Sequence, residues 1–306
     1  MGVYHAGSRA VQDRVGVRAQ ADHVGRSVGR GIREVAAAFL ELQPLLVVGA
    51  ADPSTGRVWA SPLTGTPGFV RATGPHRISV TTAPPPSDPL AAAFATPGTP
   101  VGTIALDPRT RRRMRLNGRL TPTARGFAVD ADQVFANCPR YLQRRESYEL
   151  VPDRRPDEPR RAAELTDEQA GFVALADTFF LATVHEGGAA DDEGSAGHRG
   201  GADVSHRGGN PGFVRVDSPN ELSWPDYPGN SMFLTLGNLT ADPRAGLLFL
   251  DWTTGTALQL TGEAHTEFGP ERRVRFTARE AIETPSAVPL RWSAPEYSPA
   301  NPDPAG

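Results

Sequence analysis

The chain has 306 residues, of which 39% are hydrophobic and 22% charged, with a formal net charge of -3. This length leaves room for two ordinary domains, each with its own core, and the near-neutral balance gives no argument for a nucleic-acid partner. Local arginine clusters remain able to collect a phosphate, because an exposed charge is felt over roughly 10 Å and not across the molecule.

Cys138 is the only cysteine, which excludes an intrachain disulfide and any cysteine-rich zinc or iron-sulfur site. A reducing cytoplasm is the expected setting. The first twenty residues alternate charge with apolar side chains and lack the apolar core of a signal peptide. No run approaches the roughly 20 apolar residues of a spanning helix, so no membrane contact is expected.

Residues 1–43 are expected to form an N-terminal arm and a helix. Apolar spacing over 10–21 is loosely helical, as in an arm lying on another part of the protein, and 32–42 (IREVAAAFLEL) is a firmer helix that Pro44 ends. A first barrel is expected over 44–150. It begins with a buried strand at 45–50, a turn at 52–56 and a return strand at 58–61. Strands follow at 68–72, 77–82, 101–107, 113–117 and 119–129, with a short helix at 90–95. Many short strands with one brief helix predict a mainly β fold, a small antiparallel barrel closing near residue 130. Residues 135–149 leave this barrel, and 151–163 read as a Pro-rich, charged linker. Residues 164–306 are expected to form a second barrel and a C-terminal tail. It opens with a helix N-capped by Thr166, with Gln169 at the third helical position, and a strand at 179–184.

The second barrel repeats the first. Over 58–118 each residue matches the one about 144 positions later without a gap, as internal duplication requires. Ser61, Gly65, Pro67, Gly68 and Phe69 meet Ser205, Gly209, Pro211, Gly212 and Phe213. Gly102, Leu116 and Gly118 meet Gly246, Leu260 and Gly262. The copies differ where chemistry would sit. Pro62 and Leu63 replace His206 and Arg207, and Ala83-Pro84-Pro85-Pro86 replaces Tyr227-Pro228-Gly229-Asn230. Conversely, the first copy carries Arg109, Arg111, Arg112, Arg113 and Arg115 against Thr253, Gly255, Thr256, Ala257 and Gln259. A pseudo-dimer is expected, with one site built mainly on the second barrel and a wall or lid from the first. The second copy also carries a Gly- and acid-rich insertion at 187–201, read as a mobile hairpin loop. His185, His198 and His206 with Asp191 and Asp192 follow no metal-ligand spacing, and no metal is expected.

The stretches SHRGGNPGFVRV and LSWPDYPGNSMFLTLGNLTADPRAGLLFLDW resemble the pyridoxamine 5′-phosphate oxidase-like, FMN-binding split-barrel family. They look closest to the bacterial pyridoxamine phosphate oxidase-related branch with two barrel halves. Tyr4-His5-Ala6-Gly7, Gly49-Ala50-Ala51-Asp52, Asn137-Cys138-Pro139-Arg140-Tyr141 and Pro289-Leu290-Arg291-Trp292 extend the likeness over nearly the whole chain. The resemblance implies tandem split barrels and an FMN-dependent oxidoreductase acting on a small-molecule substrate. It also implies a separate flavin or ferredoxin reductase, or the substrate itself, as electron donor. The alternative is a non-catalytic or differently loaded binding protein, holding haem, a deazaflavin or a small metabolite on the same scaffold. The protein is expected as a monomeric pseudo-dimer or a homodimer.

Implied cofactor contacts follow position by position. Ser205, His206, Arg207 and Ser231 stand where the oxidases hold the FMN phosphate, although a lysine and a second arginine of the oxidase pattern are missing. A guanidinium with the backbone N–H groups of the Gly229-Asn230 turn can still hold a phosphate. Arg207 is phosphate ligand or solvated turn, and Trp224 is flavin-facing ring or barrel core. Tyr227 lies toward the ring, and Asn230 is ring donor or turn residue. Asn238 contacts the cofactor or only caps a helix, and Thr256 and Gln259 fall on a strand that faces FMN in the family. Arg291 and Trp292 close the site or form a packing tail. His206, the only histidine in the constellation, is the candidate proton relay.

Overall fold

The computed structural model describes residues 3–185 and 201–302. Three helices lead, α1 (Ala6–Val15), α2 (Arg18–Gly25) and α3 (Glu34–Glu41). The first sheet follows as β1 (Leu45–Ala51), β2 (Val58–Thr64), β3 (Val70–Gly74), β4 (Arg77–Val80), α4 (Ala91–Ala95), β5 (Pro100–Asp107), β6 (Arg112–Thr123) and β7 (Gly126–Ala136). Short strands β8 (Arg144–Arg145), β9 (Tyr148–Leu150) and β10 (Arg160–Ala162) connect to α5 (Asp167–Leu175). The second sheet comprises β11 (Thr178–His185), β12 (Gly201–Gly208), β13 (Arg215–Ser218), β14 (Glu221–Pro225), α6 (Leu234–Ala241), β15 (Arg244–Leu250), β16 (Ala257–Phe268) and β17 (Arg272–Thr284), before β18 (Leu290–Trp292) and β19 (Pro295–Glu296). The fold is mainly β, with two large antiparallel sheets and a few short helices.

The duplication read from the sequence appears strand for strand. The first sheet runs β2-β1-β5-β6-β7-β4-β3 and the second β12-β11-β15-β16-β17-β14-β13. Even the irregularities repeat. Register slips between Asn117 and Gly118 and again between Thr261 and Gly262, and between Ala72 and Gly74 as between Val216 and Ser218. A Cβ at Gly118 would lie 2.0 Å from the Asp130 carbonyl oxygen, and one at Gly262 2.0 Å from that of Thr277, so the bulge demands glycine in both copies.

That bulge corrects one expectation. Gly118 does not separate two strands; it kinks a single strand, β6, and the turn comes later, at Gly126 with φ 150°. β7 then runs to Ala136, past the expected closure near residue 130. The order leaves β2 and β3 as the edge strands of the first sheet, and β12 and β13 as those of the second. The expected linker is pinned down: β10 pairs with β17, and the Arg154 guanidinium donates to the carbonyls of Val288, Leu290 and Thr253. Thr166 caps α5 in a full capping box with Gln169. Apart from Gly201, the expected insertion loop lies outside the described residues.

The apolar runs of β1 and β11 are continuous because both of their faces are buried. Leu46 and Val48 point into the first barrel's core, and Phe179 and Leu181 into the second's. The alternate residues Leu45, Val47, Phe180 and Ala182 meet in a third core shared by both sheets. There the backbones nearly touch. A Cβ at Gly102 of β5 would lie 2.6 Å from Asp203 Cα, and one at Gly246 of β15, its mate, 2.7 Å from Trp59 Cα. The N-terminal arm crosses to the second barrel: His5 caps α1 through Nδ1, which accepts from the Gly7 N–H, and its Nε2 meets Asn238 Oδ1 at 2.9 Å. Gly7 lies against the Gly237 carbonyl, which an alanine Cβ would approach to 2.3 Å.

These contacts set a stability test. Gly102→Ala and Gly246→Ala must each push a backbone out of the shared core, and each is expected to cost about 1 to 3 kcal/mol in denaturant unfolding. Gly171→Ala, on the exposed side of α5 with open space around it, is expected to gain about 0.5 to 1 kcal/mol. Equal effects at the three sites would show that the close approach is not a constraint.

Candidate functional site

The approach of the two sheets sets β6 of the first barrel against β12 of the second, and β16 against β2. The first of these places is rich in cations. Arg113, Arg115 and Asn117 alternate along one face of β6 and reach β12, which carries Asp203, Ser205, His206 and Arg207.

Arg113 donates through one terminal nitrogen to His206 Nδ1 at 2.7 Å and through the other to the Cys138 carbonyl at 2.7 Å. No carboxylate pairs with it among the described residues. Arg115 forms a buried ion pair with Asp203 and lies 4.7 Å above the Phe135 ring. Asp203 is also held by Asn117 Nδ2 at 3.0 Å and Thr235 Oγ1 at 3.2 Å. Arg207 reaches Asp226 at 3.2 Å, but Asp226 is shared with Arg272 at 2.7 Å. Three arginines thus share two aspartates here, and Arg113 pairs with neither.

Several buried donors point at nothing in the protein. Nε of Arg113, Arg115 and Arg207, and Nε2 of His206, have no hydrogen-bond partner, nor has the acceptor Asn137 Oδ1. Burial, then the charges of Arg115 and Arg207, pull the Arg113 pKa down to about 9, which still leaves it cationic at neutral pH. Burial and the charges of Arg113 and Arg207 hold His206 well below the usual histidine range, so its ring is neutral. A guanidinium only donates, so Nδ1 of His206 must accept and Nε2 must carry the proton. His206, which lines the groove, then keeps an unpartnered N–H at Nε2, and Nδ1 has no proton to relay.

The groove is roofed by aromatic rings. Tyr141 OH donates to the Pro228 carbonyl at 2.9 Å, and the Tyr141 and Tyr227 rings lie 5.1 Å apart at 38°. Non-glycine residues in the left-handed region surround it: Tyr141 at φ 64°, Ser231 at 62° and Phe233 at 52°. Such strain of about 1 to 3 kcal/mol per residue persists only where neighbours enforce it. Asn230 Oδ1 accepts from the Met232 N–H at 3.2 Å and braces the loop. The cavity holds about 120 Å³.

Of the residues singled out from the sequence, Ser205, His206, Arg207, Tyr227, Gly229, Asn230 and Ser231 line this groove together. Six lie elsewhere. Trp224, 1% exposed, packs edge-on against Phe179 in the second core, because it shares the inward face of β14 with Leu222. Asn238 sits inside α6 and donates to Thr183 Oγ1 at 2.9 Å. Thr256 belongs to the turn before β16, where its hydroxyl meets that of Thr254. Arg291 reaches outward to Glu149, and Trp292 packs between Tyr148 and Trp252. Gln259 lies at the other β-strand crossing. Asn137, Cys138, Arg140 and Tyr141 also line the groove, and in the sequence only the family likeness marks that stretch. Arg113 and Arg115 were visible only as members of an arginine cluster.

At the pseudo-equivalent crossing of β16 and β2 the cations are gone. Gln259, the mate of Arg115, donates to the Ala60 carbonyl and to Ser61 Oγ, each at 2.9 Å. Asp88 is enclosed there, accepting from Ser61 Oγ and the Leu90 N–H at 2.8 Å each. Burial pushes the Asp88 pKa up despite these hydrogen bonds.

No protein-family model and no curated protein matches the chain. Two crystal structures of HupZ from Group A Streptococcus are similar to part of it. One, a variant with a histidine replaced by alanine, shows 10% identity over 39% of this chain and 98% of the other, with a TM-score of 0.29. The other shows 11% identity over 37% and 89%, with a TM-score of 0.27. Likeness at that level assigns no ligand and no residue role to this chain. No helix among the described residues is long and apolar enough to cross a membrane. Nor do they contain three or more His, Cys, Asp or Glu grouped as metal ligands; Asp191, Asp192 and His198 lie outside them.

The enclosed Asp88 gives a pH signature. Its folded pKa lies above the unfolded value, so folding favours the protonated form, and stability falls as pH rises from the unfolded Asp range through the folded value. Asp88→Asn keeps an acceptor and removes the titration. Its melting temperature is expected to exceed the wild type's at pH 7 to 8, with the advantage shrinking toward pH 4. An advantage that grew on acidification would contradict the assignment.

Proposed function

We propose that the groove between β6 and β12 binds the phosphate of FMN, one per chain, and that the protein is a flavin-dependent oxidoreductase of the pyridoxamine 5′-phosphate oxidase-like kind acting on a small molecule. The observation that carries this reading is Arg113, a half-buried guanidinium with an enclosed Nε, whose partners are an imidazole nitrogen and a carbonyl rather than a carboxylate. An isolated buried cation is costly, and a dianion is the partner that offsets it best. Arg207 and His206 line the same groove and each carries an N–H without a partner, so the phosphate end of FMN suits the residues present.

When bound, the flavin supplies the electron-transfer chemistry. The chain's own residues hold the phosphate and, through the Tyr141–Tyr227 roof and the Gly229–Ser231 loop, limit the access of water. The same phosphate chemistry would serve a phosphate-bearing deazaflavin, which absorption of the purified protein distinguishes from FMN. Haem is less well supported at this place. Because Arg113 already occupies Nδ1 of His206, ligation of iron through Nε2 would require an imidazolate or the loss of that hydrogen bond.

Arg113→Ala and Arg207→Ala each remove a charge-assisted contact worth about 1.5 to 3 kcal/mol, so FMN affinity is expected to fall roughly 10 to 150-fold. Riboflavin, without the phosphate, is expected to bind wild type and variants alike. Fluorescence titration of both ligands reads the difference. A parallel loss of both, or no loss of FMN, would remove the phosphate assignment.

A further inference from the structure

Arg113 and Asn137 each line two cavities. Besides the groove they border a cleft of about 460 Å³ between the N-terminal arm and the first barrel. Its walls are Val35, Ala36 and Phe39 of α3, Met114 of β6, and Val134 and Phe135 of β7. This cleft has an apolar floor, but Arg33, Arg111 and Arg112 line it as well. Val35 is left 62% exposed on α3, while Ala36 and Phe39 of the same helix pack inward. At the partition stand two buried atoms without partners, the donor Arg113 Nε and the acceptor Asn137 Oδ1.

We propose that groove and cleft are two halves of one binding site, which takes an amphiphilic small molecule with its phosphate beside Arg113, His206 and Arg207 and its aromatic body under α3. This rests on the anion-binding reading of the groove. Size supports the division. At about 120 Å³ the groove accommodates an anionic head and little more, whereas organic ligands usually occupy cavities of about 300 to 1,000 Å³, a range into which the cleft falls. On the opposite side a cavity of about 580 Å³ shares Phe213, Pro225, Asp226 and Tyr227 with the groove, but no arginine of the groove lines it. Arg113 suits a joint between the halves. Its charged end can hold a phosphate at the point where the groove meets the cleft, inside which Arg112 lies over Phe39 at 5.3 Å. Asn137 Oδ1 would then accept from a polar edge of the ligand's ring.

Calorimetric titration with inorganic phosphate and with 2-naphthyl phosphate tests the two halves separately. Wild type is expected to bind naphthyl phosphate at least about tenfold more tightly than phosphate, from burial of the ring. Ala36→Trp, which fills the cleft, is expected to erase that gain while phosphate affinity stays as it was. Val35→Asn, at an exposed position where the fold is not at stake, is expected to reduce the gain about threefold or more; it serves if Ala36→Trp lacks a cooperative melt. A gain that survives in both folded variants, or that Tyr227→Ala abolishes instead, overturns the two-part site and leaves the groove reading intact. If wild type binds no inorganic phosphate, the groove reading fails and the two-part site with it.

Discussion

Gly102 and Gly246 lie against the backbone of the opposite barrel with no room for a methyl group, and this contact governs how the two sheets can be placed. Because both glycines occupy matched positions in the repeat, the contact is close to two-fold, and it generates two crossings, β6 on β12 and β16 on β2. Strands β1 and β11 must then bury both faces, which is why their sequences are apolar without alternation. A single duplicated scaffold has thereby created two candidate sites, and side chains alone decide what each became.

The two crossings have opposite electrostatics. At one, Arg113, Arg115 and Arg207 converge, and Asp203 and Asp226 neutralise them only in part because Asp226 is shared with Arg272. At the other, a glutamine stands in place of Arg115, Pro62 and Leu63 in place of His206 and Arg207, and the buried charge is a carboxylate with its pKa raised. Duplication followed by divergence of a few residues thus separates a cationic groove from a closed, hydrogen-bonded crossing. The strained backbone of Tyr141, Ser231 and Phe233 gathers at the cationic one, as the proposed binding role there would require.

Much of this could be read from the sequence because it is local or repeated. The Asp52 turn, the Thr166 capping box and the offset of about 144 residues depend on neighbours in the chain or on direct comparison of its halves. The bulge at Gly118 was harder, since a lone glycine in an apolar run marks a break and a kink alike. The groove was legible on one side only. Ser205 to Arg207 and the Tyr227 to Ser231 loop stand out as polar groups replaced in the other copy. Arg113 instead finds His206 across 93 positions of sequence, a pairing that only the docking of the barrels creates. Trp224 shows the converse, since spacing leaves an aromatic residue near a site open to either face, and the pairing of β14 with β17 turns it into the core.

The central claim is that one crossing, and not both, holds a phosphate-bearing ligand. Calorimetric titration of ligand-free protein with FMN measures this most directly. Saturation is expected at one equivalent per chain, with binding weakened by added inorganic phosphate. Two equivalents of equal affinity, or one equivalent indifferent to phosphate competition, would contradict it.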